Sequence, residues 1–294
     1  MLVPDQMREC ACFAFVCVGE ETRAVGTAFF ASLVVGETES GIPTNFPLLI
    51  TALHVVAKAR TTEGGDGCVY IRVNTTSGGA EFVKVEDELW VLPEQAPLAV
   101  DVAVCAWPYG NETYEFKSAS IKNWLTDEVS KAETVGVGDD LFLTGLFVNH
   151  HGKERNVPIV RVGNIATMPG EPVATKLGPM EAYLVEARSV GGLSGSPVFL
   201  NLGTFRLDSH GNARRREGGL LWYLLGVMHG HWHIPGGETD AVVDDGLSEE
   251  YVNMGIAIVT PITKVVGLLD DPKIQGPLAQ AKREFAAVQA RSLP

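Results

Sequence analysis

Three polar residues each interrupt an apolar or glycine-rich stretch: His54 in "LLITALHVV", Asp101 in "LAVDVAVCAW" and Ser194 in "SVGGLSGSPVFL". A serine hydroxyl becomes a useful nucleophile when a nearby imidazole accepts its proton. A buried carboxylate fixes the tautomer of that imidazole and stabilises the imidazolium that forms. Together the three residue types predict acyl-transfer chemistry, with Ser194 as nucleophile, His54 as general base and Asp101 orienting His54.

The glycines around Ser194 fit this chemistry. Gly192 and Gly195 allow tight backbone conformations that other residues disfavour. Such a turn presents the hydroxyl outward, and the N–H groups of Gly192 and Ser194 would then stabilise the oxyanion of a tetrahedral intermediate. Taken alone, Ser194 is also compatible with an ordinary turn residue, and His54 with a structural histidine.

A second histidine cluster offers a rival chemistry. In "HGHWH", His229, His231 and His233 occupy alternating positions and would share one face of a regular strand. Three imidazoles on one face can bind zinc, so a zinc hydrolase is the alternative enzyme class. We favour the simpler interpretation, in which these histidines belong to a polar strand end next to glycines.

The elements that must position these residues are mostly strands. Short apolar runs rich in β-branched residues recur between glycine or polar breaks, which is typical of antiparallel barrels or sandwiches. A doubly wound α/β fold would need a long amphipathic helix after most strands, and none is evident. Helices are predicted over 51–59, 261–271 and 277–292, and the segment 116–140 is the natural connection between two halves.

Composition narrows the class of protein. The chain has 294 residues, of which 46% are hydrophobic and 20% charged, as expected for a folded domain. Its formal net charge of −13 argues against nucleic acid or an anionic membrane as a partner, since both require a basic surface. Five cysteines without metal-type spacing suggest reduced, buried thiols and a cytoplasmic location. The apolar "ACFAFVCVG" is expected to be a first strand rather than a signal peptide.

Three local strings, in this order, carry a family resemblance. "TALH", "DVAV" and "GLSGSP" resemble the motifs around the histidine, aspartate and serine of trypsin-like serine peptidases with the chymotrypsin fold. The similarity is to the bacterial branch that includes the HtrA proteases, and it extends from about residue 10 to 270. "GTAFF", "LLGVMHG" and "MGIAIVTPI" are further family-like stretches.

The resemblance implies an all-β fold of two antiparallel six-stranded barrels with a C-terminal helix. It divides the chain into residues 1–120 with His54 and Asp101, 121–266 with Ser194, and a helical tail over 267–294. It implies a serine endopeptidase that needs no cofactor and acts on a protein or peptide, which we expect to be a specific intracellular protein. A catalytically silent or partner-gated binding module with the same fold is the alternative.

Alignment with the family also implies a first substrate pocket, with Arg188 near its base and Met228 and His229 along its wall. An arginine or histidine there would suit an acidic or amide side chain, and methionine an apolar one.

Two features depart from the family. Leu193 stands where digestive members carry an aspartate that pairs with a new N-terminus, so activation by N-terminal cleavage is not expected. The long segment 201–223 joins two strands that the family often connects tightly, as a long hairpin or a regulatory loop.

Overall fold

The structure is a computed structural model that describes residues 2–38, 40–94, 97–187, 191–207, 210–216, 218, 221–234 and 252–292. The described part of the chain is mostly β, with one open sheet, one closed barrel and a long C-terminal helix. None of the described helices is long and apolar enough to cross a membrane.

The N-terminal half forms a mainly antiparallel sheet in the order β5-β4-β1-β2-β3-β6, with the short β7 parallel to β2. Its strands are β1 (Ala11–Val18), β2 (Glu21–Glu37), β3 (Pro43–Thr51), β4 (Val69–Asn74), β5 (Ala80–Val85), β6 (Ala103–Ala106) and β7 (Ala119–Ser120). Strand β1 is buried on both faces, which explains its continuous apolar sequence. On one face Cys12 and Ala14 join the main core, and on the other Phe13 and Phe15 contact Leu146.

The predicted closure of this sheet into a six-stranded barrel is not found in the described residues. Its two edge strands, β5 and β6, are connected by residues 86–102, which would have to supply the pairing that closes a barrel. This segment instead makes a 3-10 turn at Asp87–Leu89 and an isolated bridge between Val91 and Val104. The sheet therefore stays open along this side.

The C-terminal half contains the second predicted barrel, which is closed and six-stranded in the order β12-β17-β16-β13-β8-β9. The strands of this half are β8 (Asp140–Gly145), β9 (Ile159–Thr167), β10 (Val173–Thr175), β11 (Gly178–Met180), β12 (Tyr183–Glu186), β13 (Pro197–Asn201), β14 (Phe205–Leu207), β15 (Ala213–Arg215), β16 (Trp222–Ile234) and β17 (Val252–Pro261). Inward-facing aliphatic side chains such as Leu143, Val185 and Val198 fill the barrel and are completely buried. This half confirms the predicted barrel.

The insertion at 201–223 contains the hairpin β14–β15. Arg206 binds both carboxylate oxygens of Asp139, and Arg216 binds both carboxylate oxygens of Glu133. The hydrogen bonds from Arg216 outweigh the opposing effect of partial burial and lower the pKa of Glu133. The insertion begins after Asn201, at the end of β13 opposite to Ser194.

Five α-helices occur in the described residues: α1 (Asp5–Glu9), α2 (Leu53–Thr61), α3 (Asp127–Ala132), α4 (Thr263–Val266) and α5 (Pro272–Ser292). Helix α5 confirms the predicted amphipathic tail and packs on the N-terminal sheet through Ile274, Leu278 and Phe285. The helix predicted over 261–271 is only the single turn α4. The helix predicted at 51–59 is α2, which begins just before His54.

The five cysteines are free thiols, as predicted. Cys10, Cys12 and Cys105 are fully or almost fully buried in the N-terminal core. Burial raises the pKa of each of these three thiols well above its usual value. They are therefore held as neutral, unreactive thiols in the core.

Candidate active site

Strand pairing brings His54 and Asp101 together. Strands β3 and β6 are antiparallel neighbours, and Thr51 at the end of β3 pairs with Ala103 at the start of β6. His54 follows this end of β3 and Asp101 precedes this start of β6, so the two residues meet at the same edge. The Nδ1 atom of His54 lies 2.7 Å from Oδ2 of Asp101.

The Asp101 carboxylate is completely buried, yet it is well supplied with hydrogen-bond donors. The backbone N–H of His54 donates to Oδ1 at 2.9 Å, and Oδ2 lies near the Nδ1 atoms of both His54 and His229. Burial by itself raises the pKa of Asp101, but hydrogen bonds from His229 and His54 outweigh it and lower the pKa well below its usual value. An ionised carboxylate only accepts hydrogen bonds, so each of these two contacts requires a proton on the Nδ1 atom of the histidine.

Ser194 reaches the same place from the barrel. It precedes β13, whose residue Pro197 pairs with Val227 of β16. His229 lies just beyond Val227 on β16, and the Ser194 hydroxyl donates to the carbonyl oxygen of His229 at 3.2 Å. The serine turn and the carboxylate cluster are therefore adjacent, linked through residue 229.

Two glycines shape the serine turn as the sequence predicts. Gly192 has φ +97° and Gly195 has φ +84°, both in the region that favours glycine. A Cβ at residue 195 would lie 2.1 Å from the carbonyl oxygen of Thr27, so no larger residue fits there. Among the described residues, no acceptor binds the N–H groups of Gly192 and Ser194, which leaves both donors available.

Thr27 of β2 joins the serine turn to the N-terminal sheet, a role that sequence reasoning missed. Its N–H donates to the carbonyl of Ser194 at 2.8 Å, and its hydroxyl donates to the carbonyl of Gly192 at 2.7 Å. The same hydroxyl accepts the N–H of Leu146 at 2.8 Å. Its carbonyl in turn accepts the hydroxyl of Thr51 at 2.7 Å. The signal available in the sequence was a polar residue inside the apolar stretch "GTAFF", and in the structure Thr27 is completely buried.

Leu193 explains how this turn is held without the family's aspartate. Its side chain is completely buried in the core of the barrel, beside Leu143 and Val198. Apolar packing below the turn and the hydrogen bonds of Thr27 above it replace an internal ion pair.

His229 does not follow the regular alternation of β16. Met228 pairs with Val259 and Gly230 with Ile258, so His229 is the extra residue of a β-bulge. Its side chain is only 14% exposed and points at Asp101, with Nδ1 2.5 Å from Oδ2. The bulge turns the imidazole toward the carboxylate, and the place of His229 on the wall of a substrate pocket stays a prediction.

Met228 is also predicted on that wall, and its side chain belongs to the barrel core. Its side chain is completely buried in the barrel core and offers no surface to a substrate. Arg188, predicted near the base of the pocket, lies outside the described residues. The substrate pocket at these three residues therefore stays a prediction.

The zinc alternative assumed a regular strand through His229, His231 and His233. The register shifts between Met228 and Gly230 and again between His231 and His233, which removes the alternation that put the three residues on one face. The side chains of His231 and His233 lie outside the described residues. His229 instead forms a group with His54 and Asp101, whose possible ligand atoms lie within 4.8 Å of one another.

One hydrogen bond of a complete Ser–His–Asp triad is not formed among the described residues. Within the described part of the chain, no hydrogen bond joins the Ser194 hydroxyl to the ring of His54, because that hydroxyl is bonded to the carbonyl of His229. The His54 side chain is 30% exposed, so its ring is open to solvent. The geometry thus contains the imidazole–carboxylate pair and a serine that is linked to it through residue 229.

No protein-family model matches the sequence, and the curated proteins contain no sequence match. Among solved structures, the protease domain of MamO from Magnetospirillum magneticum (apo form) is similar over 90% of this chain and 98% of its own, with 14% identity and a TM-score of 0.50. Deg5 matches 90% of this chain and 88% of its own, with 17% identity and a TM-score of 0.47. The inactive form of a serine-to-alanine mutant of Rv3671c from M. tuberculosis H37Rv matches 90% of this chain and 88% of its own, with 14% identity and a TM-score of 0.42.

At this level of identity the comparison with MamO concerns the fold and not the activity. It agrees with the closed barrel and the open antiparallel sheet described above. The chain therefore shares its fold with the protease domain of MamO.

Proposed function

We propose that this protein is a serine endopeptidase in which Ser194 is the nucleophile. The observation that carries the proposal is the double hydrogen bonding of Asp101 to His54. One carboxylate oxygen accepts the backbone N–H of His54 and the other its Nδ1–H, which fixes both the position and the tautomer of the ring. With Ser194 adjacent on a glycine turn, this pair is suited to general-base catalysis.

The mechanism begins with rotation of the Ser194 hydroxyl from the carbonyl of His229 to Nε2 of His54. As Oγ attacks the carbonyl carbon of the scissile peptide, Nε2 takes the hydroxyl proton and the ring becomes an imidazolium. The ionised Asp101 stabilises that charge from the other side of the ring. The imidazolium then protonates the leaving amine, and water repeats the sequence to release the acyl group from Ser194.

The unpaired N–H groups of Gly192 and Ser194 support the stabilisation of the intermediate. Preorganised backbone donors that face a developing oxyanion lower the barrier substantially in acyl transfer. Thr27 fixes the carbonyl of Gly192, and the buried Leu193 fixes the turn between the two donors. Both contacts favour a rigid oxyanion site.

The substrate class follows from the fold, because trypsin-like proteases act on proteins and peptides. Within that class we propose a specific intracellular protein as substrate and a cytoplasmic location, supported by the five free cysteines. Arg188 remains our candidate for the base of the first substrate pocket. We also propose a regulatory partner that redirects the Ser194 hydroxyl toward His54, because that hydroxyl is bonded to the carbonyl of His229 in this structure.

A zinc hydrolase is less compatible with the distances. Zinc bound tetrahedrally at about 2.0–2.1 Å from each ligand holds its ligand atoms about 3.3 Å apart. The separations of Asp101 Oδ2 from the Nδ1 atoms of His54 and His229 are 2.7 and 2.5 Å, which are hydrogen-bond lengths. A proton between each pair of atoms accounts for these two separations.

A catalytically silent binding module is the second candidate, favoured by the hydrogen bond of Ser194 to the His229 carbonyl. A fluorophosphonate probe separates the two candidates, since it reacts only with an activated serine. The proposal predicts covalent labelling of the folded wild-type protein, loss of labelling in Ser194→Ala, and retention in Ser196→Ala, whose hydroxyl is buried.

Two further results would decide against the proposal. Folded protein that resists the probe at every concentration would favour the binding module. Activity that survives Ser194→Ala but disappears with a chelator would favour a metal-dependent hydrolase.

A further inference from the structure

His229 is a buried titratable residue that the proposed mechanism leaves without a role. It is the extra residue of the bulge in β16, between Met228 and Gly230. Bulges next to active sites commonly redirect one side chain, and here the redirected side chain is an imidazole. Its ring lies at 77° to that of His54, with the ring centroids 5.3 Å apart.

The two imidazoles share one acceptor. Nδ1 of His54 and Nδ1 of His229 lie 2.7 and 2.5 Å from the same oxygen, Oδ2 of Asp101. The remaining oxygen, Oδ1, accepts the backbone N–H of His54. Because the carboxylate is inaccessible to solvent, these donors replace the water that an exposed carboxylate would bind.

Residue 229 also touches the serine. Its backbone carbonyl accepts the Ser194 hydroxyl at 3.2 Å, while its ring holds Asp101. A single bulged residue of the barrel thus contacts both the carboxylate that comes from the N-terminal sheet and the hydroxyl that comes from the barrel turn. A change in the position of the bulge would move both contacts together.

We propose that His229 is a positioning residue that holds Asp101 in the orientation required by His54. Its catalytic consequence rests on the proposed function. The ring donates its Nδ1–H to Oδ2, blocks rotation of the carboxylate away from His54, and keeps the buried group ionised. Without this donor, Oδ2 would depend on His54 alone and the carboxylate would hold that ring less firmly.

The chemistry requires a specific tautomer. His229 must carry its proton on Nδ1, because the ionised carboxylate has no proton to offer. Asparagine offers an amide N–H at nearly the same distance from the backbone as Nδ1 of histidine, whereas alanine offers none. The pair of variants His229→Asn and His229→Ala therefore separates the donor from the rest of the side chain.

Nuclear magnetic resonance on protein labelled with ¹⁵N-histidine tests the contact in the wild type, without any substitution. We expect long-range ¹H–¹⁵N couplings to show protonated Nδ1 on both His54 and His229, with both N–H protons shifted downfield by the shared carboxylate. A wild-type His229 protonated only on Nε2 would overturn the inference, whether or not the protein reacts with a fluorophosphonate.

The variants test the consequence for the site. His229→Ala should shift the Nδ1–H resonance of His54 and lower the fluorophosphonate labelling rate about 10- to 100-fold, as expected for a lost hydrogen bond to a charged group. His229→Asn should restore most of that rate, and the exposed control His150→Ala should behave as wild type. Equal rates for the asparagine and alanine variants, or an unchanged His54 resonance in the alanine variant, would refute the positioning role. An unreactive wild type would instead count against the proposed function.

Discussion

Replacement of Thr27 by valine should destabilise the protein and slow its reaction with a fluorophosphonate. Valine has the shape of threonine but lacks the hydroxyl, which donates to the carbonyl of Gly192 at 2.7 Å and accepts the N–H of Leu146 at 2.8 Å. Leu146 is completely buried, so its N–H would lose its partner without access to water. The partly accessible carbonyl of Gly192 would recover part of its loss through hydration.

The expected magnitude follows from these two groups. A buried polar group left without a partner costs about 1–3 kcal/mol, so the valine variant should lose about 2–4 kcal/mol of the free energy of unfolding. Thr27→Ser keeps the hydroxyl and loses one methyl group, at a cost of about 1 kcal/mol. A stability of about 5–15 kcal/mol is typical of a domain, so both variants should still fold.

Urea unfolding measures the first effect and the labelling rate of Ser194 the second. We expect labelling of Thr27→Val to be slower by about tenfold or more. Misplaced oxyanion donors stabilise the transition state less well, and a loss of about 1.4 kcal/mol of that stabilisation already slows the reaction tenfold. Thr27→Ser should label at nearly the wild-type rate. The inference that the Thr27 hydroxyl holds the serine turn is wrong if the unfolding free energies of the two variants agree within about 0.5 kcal/mol and the variants are labelled equally fast.

Three further predictions concern the same turn and its carboxylate. Gly195→Ala should lose several kcal/mol of stability and all labelling, since its Cβ would lie 2.1 Å from a carbonyl oxygen, whereas Gly191→Ala, with open space around it, should be neutral in thermal unfolding. Leu193→Asp should cost more than about 3 kcal/mol in urea unfolding because it buries an unpaired charge, and the volume-conserving Leu193→Met should cost less than about 1.5 kcal/mol. The lowered pKa of Asp101 stabilises the folded state above its unfolded value near 3.9, and this contribution is lost as the pH falls toward the folded pKa. The difference in unfolding free energy between wild type and Asp101→Asn should therefore be constant above about pH 5 and shrink below about pH 4; a constant difference down to pH 2 would contradict it.

The sequence predicts the outline of the site because strand ends and glycine turns leave clear local signals. His54 follows an apolar strand, and Asp101 is a carboxylate just ahead of another apolar strand, and antiparallel pairing of β3 with β6 then brings them together. The glycines around Ser194 have the positive φ angles that their sequence suggests. The run of short strands indicates an antiparallel barrel or sandwich, and the resemblance to trypsin-like peptidases implied the six-stranded barrel that the C-terminal half contains.

The sequence does not predict the bulge at His229. Alternation along a strand assigns side chains to faces only while the register is regular, and the shift between Met228 and Gly230 breaks it. The bulge turns the His229 ring toward Asp101, a direction that regular alternation along β16 does not indicate. The open N-terminal sheet was also not predicted. The apolar run "LWVL" at 89–92 resembles a strand in sequence, but it makes only the isolated bridge between Val91 and Val104.

The role of Thr27 depends on contacts between distant segments. Its partners Gly192 and Ser194 are far from it in the chain, and only the packing of β2 against the serine turn brings them within hydrogen-bond distance. A buried polar residue in an apolar strand indicates that a partner must exist, but not which one.

Peptide mapping by mass spectrometry after reaction with a fluorophosphonate tests the central claim most directly, that Ser194 is activated by the His54–Asp101 pair. We expect one phosphonyl adduct per chain, located on Ser194. Its formation should slow by several orders of magnitude in His54→Ala although the variant remains folded. An adduct on another residue, or equal rates of adduct formation with and without the His54 imidazole, would contradict it.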